Sequence, residues 1–271
     1  MNALICYFSN TGNTRLICSY LKHYLGESDF LLWDMNQDTY PNMEKYDLVG
    51  FASSVEFFGL PKFVIDWFAD LPHLKNQKLS FIITSFGNIA GTTILQLRNL
   101  VQDKGFRVIA GHTLHMPDSF PISRIKGFKA SGSPNKQEMV RFHLFANILK
   151  DLIESMREGH EILEASFKLS LMSYFFNIPD RYAAKRSMGF KFVNEELCIK
   201  CSLCANECPY NAIEMDCYPQ FIEELCFGCW RCYNKCPTQA IYTNKLKAKG
   251  HYSGPTDSLF EKFVMNKKTF L

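Results

Sequence analysis

Through the first 160 residues, short apolar runs alternate with segments in which apolar positions recur every three or four residues. The runs "ALICYF" (3–8), "FLLW" (30–33), "YDLVGFA" (46–52), "LSFIITS" (79–85) and "FRVIAGHTL" (106–114) read as buried strands. Helical patterns lie between them. "RLICSYLKHYL" places Leu16, Ile17, Tyr20, Leu21 and Tyr24 on one face, and "FVIDWFADL" does the same with Phe63, Val64, Trp67, Phe68 and Leu71. "TILQLRNLVQDKG" ends at Gly105. A long helix over roughly 135–158 then aligns Phe142, Phe145, Leu149, Leu152, Ile153 and Met156. Strands that alternate with helices predict a parallel sheet covered on both faces. Right-handed crossovers set the loops after the strands along one edge, where ligands bind.

The first of these loops is "SNTGNT": Ser9, Asn10, Thr11, Gly12, Asn13 and Thr14. It leads into a helix, whose first turn offers free N–H groups and the positive end of the dipole. Ser9, Thr11 and Thr14 add hydroxyls, and Gly12 lets the chain turn tightly. The result is a neutral anion cup suited to a phosphate monoester. It lacks the lysine of a triphosphate loop and the glycine pattern of a dinucleotide loop. The residues alone leave a second reading open, that the loop only caps the helix.

"SNTGNT" resembles the phosphate loop S/T-x-T-G-x-T of flavodoxins, at the place expected after the first strand. The resemblance covers about residues 1–155. It implies a flavodoxin-like, doubly wound α/β fold with a five-stranded parallel sheet in the order 2-1-3-4-5, and FMN as cofactor. It also implies that the flavin ring lies between the loops after strands three and four, "SSVEFFGLP" (53–61) and "SFGNIAG" (85–91). The implied ring contacts are Ser54, Val55, Glu56, Phe57, Phe58, Ser85, Phe86, Gly87 and Asn88. Flavodoxins commonly stack a tyrosine or tryptophan on the ring. Here Phe57, Phe58 and Phe86 are the aromatics available, with Phe57 first at the tip of its loop.

Of eleven cysteines, nine lie between Cys198 and Cys236; Cys6 and Cys18 fall on apolar faces. Residues 197–213, "LCIKCSLCANECPYNAI", and 225–241, "LCFGCWRCYNKCPTQAI", align without gaps at a period of 28, with nine of 17 positions identical. The identities include every ligand-type cysteine, so this is an internal duplication of a C-x2-C-x2-C-x3-C-P run. Three thiolates within seven residues suit one corner of a cubane, and the fourth reaches the other cluster. One [4Fe-4S] cluster is therefore assigned to Cys198, Cys201, Cys204 and Cys236, and the other to Cys226, Cys229, Cys232 and Cys208. Zinc is the alternative occupant, although it favours two separated cysteine pairs. Cys217 lies outside both runs and reads as a spare thiol. Lys200 stands where the second repeat has Gly228.

The chain of 271 residues divides at this change in composition. The expected units are a flavodoxin-like FMN-binding domain (1–158), a connecting segment (159–193), a small α+β two-cluster ferredoxin domain (194–244) and a C-terminal extension (245–271). "NIPDRYAAKRSMG" (177–189) is a hinge candidate, and the sequence leaves open whether the domains dock or swing. Residues 194–242 carry a net −4, which leaves +7 for the remainder to reach the chain's +3. Arg181, Lys185, Arg186, Lys191, Lys245, Lys247 and Lys249 flank the module; they suit a docking role or ordinary solvated surface. The opening residues show no signal peptide and no run spans a bilayer, so the expected location is the cytoplasm. A net charge of +3 is too mild to indicate nucleic acid, and no helix-turn-helix pattern with a basic recognition helix is visible.

The combination resembles the EFR-type flavodoxin–ferredoxin fusion proteins of anaerobes. That resemblance implies a low-potential electron carrier, relaying electrons between two [4Fe-4S] clusters and FMN and on to a redox partner protein. An FMN-dependent reductase of a small molecule, fed by its own clusters, is the alternative, and a cluster-based sensor a third reading. No catalytic set is evident, and the seven histidines are scattered.

Overall fold

The computed structural model describes residues 1–37, 39–127, 132–168 and 181–265, with the side chains of 181–184 left aside. Five strands, β1 (Ala3–Phe8), β2 (Phe30–Asp34), β3 (Leu48–Ser54), β4 (Lys78–Phe86) and β5 (Phe106–His115), form one sheet in the order β2-β1-β3-β4-β5. Every neighbouring pair is parallel. This is the parallel sheet that the alternation predicts, in the doubly wound order that the flavodoxin resemblance implies. Side chains of β1 explain why the run is apolar throughout. Ala3, Ile5 and Tyr7 enter one core and Leu4, Cys6 and Phe8 the other. A strand buried on both sides has no polar face to show.

Helices α1 (Asn13–Leu25) and α5 (Lys136–Arg157) contribute to the first core. Helices α2 (Lys62–Asp70) and α3 (Thr93–Asp103) contribute to the second. A capping box opens α5, with Asn135 Oδ1 accepting from the Glu138 N–H at 2.9 Å and Glu138 Oε2 accepting from the Asn135 N–H at 2.6 Å. A short helix α4 (Pro121–Ile125), not marked by any period in the sequence, follows β5. The connecting segment begins against the sheet, where the Ala165 N–H donates to Val108 O at 2.8 Å. Part of the hinge candidate, residues 177–180, lies outside the described residues; the rest is helix α6 (Arg181–Met188), ended by Gly189.

The cysteine module holds two small antiparallel pairs. β6 (Lys191–Val193) pairs with β9 (Ile241–Thr243), and β7 (Ile213–Met215) with β8 (Pro219–Phe221). Two short helices, α7 (Leu203–Asn206) and α8 (Arg231–Lys235), carry the ends of the cysteine runs. The duplication is written into the backbone. Left-handed residues recur at the 28-residue period: Lys200 and Gly228, Ser202 and Trp230, Asn211 and Gln239.

The two units touch. Trp230 meets Phe120 edge to face at 5.9 Å, Asn234 Nδ2 donates to Ser119 O at 2.9 Å, and Arg231 Nη1 donates to Asn36 Oδ1 at 3.0 Å. The module's own ion pairs, Lys191–Glu223, Arg231–Glu207 and Lys235–Glu207, are internal to it. Beyond the module the chain returns to the sheet domain. Helix α9 (Asp257–Lys262) and Phe263 bury Leu259, Phe260 and Phe263 in the first core, where Phe263 packs on Tyr20 and Phe142.

Candidate functional site

At the carboxyl edge of the sheet the loops after β1, β3, β4 and β5 surround one cavity. It gathers the predicted residues Ser9, Asn10, Thr11, Asn13, Thr14, Ser54, Val55, Glu56, Phe57, Phe58, Ser85, Phe86, Gly87 and Asn88. Gly12 stands behind it, facing an adjoining crevice. At φ +98° Gly12 occupies a left-handed conformation, which turns β1 into α1 and needs no side chain. Ser9 Oγ accepts from its N–H at 3.1 Å. Thr14 and Ser85, both buried, join their hydroxyls at 2.8 Å and so fix the first loop to the fourth-strand loop. Asn10 Nδ2 donates to Glu56 Oε1, which fixes it to the third-strand loop as well. Asn13 Nδ2 donates to Pro117 O at 2.9 Å, and Tyr252 donates its hydroxyl to Asn13 Oδ1 at 2.5 Å.

The third-strand loop closes in a two-residue turn, Glu56 and Gly59 exchanging both backbone bonds. Its central residues, Phe57 at φ +45° and Phe58 at φ +68°, hold the left-handed pair that Asn-Gly prefers. Each costs of order 1–2 kcal/mol. Strain of that size on two large rings directs attention to what the rings face. Phe57 meets Phe120 edge to face at 5.7 Å. Gly91 must lack a side chain, because a Cβ there would lie 2.6 Å from Phe58 O. Phe86 has one face covered by His115, stacked at 4.9 Å. His115 Nε2 donates to Gly87 O at 3.0 Å, and its other nitrogen lies 3.1 Å from Glu138 Oε1. The fourth-strand loop is thus braced from α5.

Three buried polar atoms of residues lining this cavity have no hydrogen-bond partner among the described residues: Asn10 Oδ1, Ser54 Oγ and Trp230 Nε1. Unpaired buried polar groups are costly, so such a set marks a ligand site. Neutral donors, a helix N-terminus and flanking aromatics suit a phosphate with an aromatic ring. These residues fit FMN.

Eight of the nine clustered cysteines line two cavities. Cys198, Cys201, Cys204 and Cys236 line one cavity; Cys208, Cys226, Cys229 and Cys232 line another. Among the described residues no three His, Cys, Asp or Glu side chains converge closely enough to hold a single ion. Backbone N–H groups already point at sulfur, Ala240 at Cys236 (3.2 Å) and Ala212 and Gly228 at Cys208 and Cys226 (3.4 Å each). Burial pushes the Cys229 and Cys232 thiols well above their usual pKa, and Cys204 up to about 11. Thiolates form there only against a compensating positive centre. The donor set fits two iron–sulfur clusters. Cys217 is exposed and lines neither cavity, while Cys6 and Cys18 are buried in the sheet domain.

Both repeats match the 4Fe-4S binding domain family. The matched residues are 191–214 and 219–242. No curated protein matches the chain. Among solved structures, similar ones are a flavodoxin from the domain Archaea (14% identity, 57% of this chain, 99% of that chain, TM-score 0.40) and the Streptococcus pneumonia TIGR4 flavodoxin (16%, 56%, 99%, 0.43). Two-electron reduced Megasphaera elsdenii flavodoxin is a third (21%, 44%, 90%, 0.39). No helix among the described residues is long and apolar enough to cross a membrane.

Sequence reasoning missed one whole wall of the flavin-type cavity. Met116, Pro117, Asp118, Ser119, Phe120 and Ser123 follow β5, and Cys229 and Trp230 come from the module. The usable signal for Trp230 was its chemistry: a large aromatic aligned with Ser202, between the second and third cysteines of its run.

Proposed function

We propose that this chain is an electron-transfer protein that relays electrons between two [4Fe-4S] clusters and FMN, and on to a partner redox protein. The observation that carries this reading is a shared wall. Cys229 and Trp230 line both the flavin-type cavity and the cavity of Cys208, Cys226, Cys229 and Cys232. A cluster ligand and its chain neighbour are all that need lie between the two cofactors. When bound, each cluster supplies a one-electron centre and FMN a centre for one or two.

The residues have separate tasks. Ser9–Thr14 and the N-terminus of α1 hold the phosphate. Phe57, Phe58 and Phe86 frame the ring, and Ser54 and Asn10 offer their unpaired atoms to it. Cys198, Cys201, Cys204 and Cys236 hold the outer cluster; Cys226, Cys229, Cys232 and Cys208 hold the inner one. Trp230 keeps solvent out of the wall, being 3% exposed. The outer set lies nearer solvent, with Cys201 exposed and Leu197 and Ile199 presenting apolar surface beside it. That face suits the approach of a one-electron donor protein, which is oxidised as a second protein is reduced. The cytoplasm is the compartment that keeps eleven cysteines free of disulfides.

Stopped-flow reduction of the anaerobic, loaded protein at increasing dilution tests the relay. A first-order flavin phase independent of protein concentration is expected. A rate that scales with concentration would mean transfer between molecules and overturn the internal route. Prompt flavin oxidation by a small metabolite, with no acceptor protein, would replace the carrier by a reductase.

A further inference from the structure

The duplication supplies an internal control, because the two four-cysteine cavities are built from aligned residues. At 28 residues' separation, Lys191 corresponds to Pro219 and Arg231 to Leu203. Each pair does line the corresponding cavities. Lys191 and Arg231 line the inner one, and Pro219 and Leu203 the outer one. At these two positions the inner cavity has cations and the outer has apolar residues; the cation lining the outer cavity is Lys200.

The two inner cations are dry. The Lys191 side chain is 2% exposed; Nζ lies 3.1 Å from Cys226 Sγ and 2.8 Å from Glu223 Oε1. Arg231, at 6%, pairs with Glu207. Each acid is the wetter partner, at 27% and 29% exposure. Water therefore screens the Glu223 carboxylate more than the Lys191 ammonium, which lies against a cysteine sulfur. The cation of the outer side, Lys200, is exposed and sits over the Tyr218 ring at 4.5 Å. Each added electron increases the negative charge of a thiolate-bound cluster. A desolvated donor on a ligand sulfur stabilises that added charge, and an exposed one does so weakly.

We propose that Lys191 raises the reduction potential of the inner cluster above that of the outer cluster, so that an electron entering at Cys201 settles beside the flavin-type cavity. The inference rests on the two-cluster reading. It adds a direction to the relay and makes Lys191 a positioning residue that acts through Cys226. The electron lost by an external one-electron donor is the electron gained by the inner cluster, and no bond is made or broken.

The test is an EPR-monitored redox titration of the full-length, reconstituted protein, with iron and sulfide assayed on the same sample. Cys201→Ser, which alters the outer ligand set alone, assigns the two signals. In the parent protein the inner signal should appear at the higher potential. In Lys191→Met the inner signal should shift so that its reduced fraction relative to the outer cluster falls at least tenfold, which is about 59 mV for a one-electron couple. The outer signal should stay in place, and Lys191→Arg should restore most of the difference. Where Lys191→Met fails to fold, Glu223→Gln serves, since it leaves the ammonium uncompensated and should move the inner potential upward. Equal shifts of both signals, or none in an iron-replete variant, would overturn the proposal. An iron content well below about eight in the parent protein would instead sink the two-cluster reading.

Discussion

Around the five-stranded sheet, Leu4, Ile5, Phe51, Phe81 and Leu97 lose all exposure to solvent, and two separate cores flank the strands. The cysteine module gathers only Met188, Trp230, Tyr233 and Ile241 into a buried cluster. Its strands are three residues long and its helices four or five. A unit of about fifty residues buries too little apolar surface to be stable unaided. The first region is a scaffold whose loops stand finished around their cavity. In the second, the cofactor replaces the core, and binding energy becomes folding energy. The difference also explains why the two sites are read differently from sequence: one from a pattern of loops on a scaffold, the other from the ligands themselves.

The strongest way to break this contrast is to remove the metal. Stripping iron with a chelator under air should speed amide exchange across 191–243 by roughly a hundredfold or more, while β1 and β3 stay protected. Mass-resolved hydrogen exchange reads both regions in one sample. Equal protection before and after stripping would show a module that stands without clusters. Next in size is a pair of thiol replacements. Cys208→Ala should damage the cluster built on Cys226, Cys229 and Cys232, although Cys208 follows Cys204 in the chain. Cys217→Ala should keep about eight irons. Iron analysis with EPR decides, and iron loss in the Cys217 variant would overturn the ligand set.

A smaller effect sharpens the scaffold side. Replacing Phe57 and Phe58 by Asn and Gly gives the turn its preferred residues and should stabilise the fold by about 1–2 kcal/mol. The same change should weaken flavin binding about tenfold through lost aromatic contact. Thermal melts and fluorescence titration measure the two separately. Unchanged flavin affinity would mean that neither ring meets the flavin. The smallest expected effect is that of salt. Residues 194–242 carry −4 and the rest +7, yet contacts that join the module to the sheet domain include the neutral pairs Trp230–Phe120 and Asn234–Ser119 and the bond from Arg231 to the neutral Asn36. The internal transfer rate should therefore change by less than about twofold between low and high salt, because screening acts mainly on exposed, separated charges.

The five strands and four of the helices were legible because both faces of the sheet are buried, which leaves unbroken apolar runs between amphipathic segments. The two cysteine runs were legible because the run repeats its own spacing. What stayed hidden depends on docking. Phe120 and Ser119 belong to a loop with no period, and their importance comes from Trp230 and Asn234, more than a hundred residues away. Asp257–Lys262 is too short to show a face in sequence, and its burial depends on a groove between α1 and α5. Local pattern reports local structure; the wall between the two cavities is a property of assembly.

The return of residues 252–263 to the sheet domain bears on how the chain is made. Tyr252 holds Asn13 of the loop after β1, and Gly254 approaches Thr11 so closely that a Cβ would lie 3.0 Å from its carbonyl oxygen. Phe263 covers Tyr20 and Phe142. On a ribosome, the sheet and its helices emerge first, with that apolar face bare until about a hundred further residues have been added. At typical synthesis rates the wait is roughly 5–20 s. The loop of residues 9–14 is clamped only after both cysteine runs have been synthesised, so the chain segment that seals it is among the last to be made.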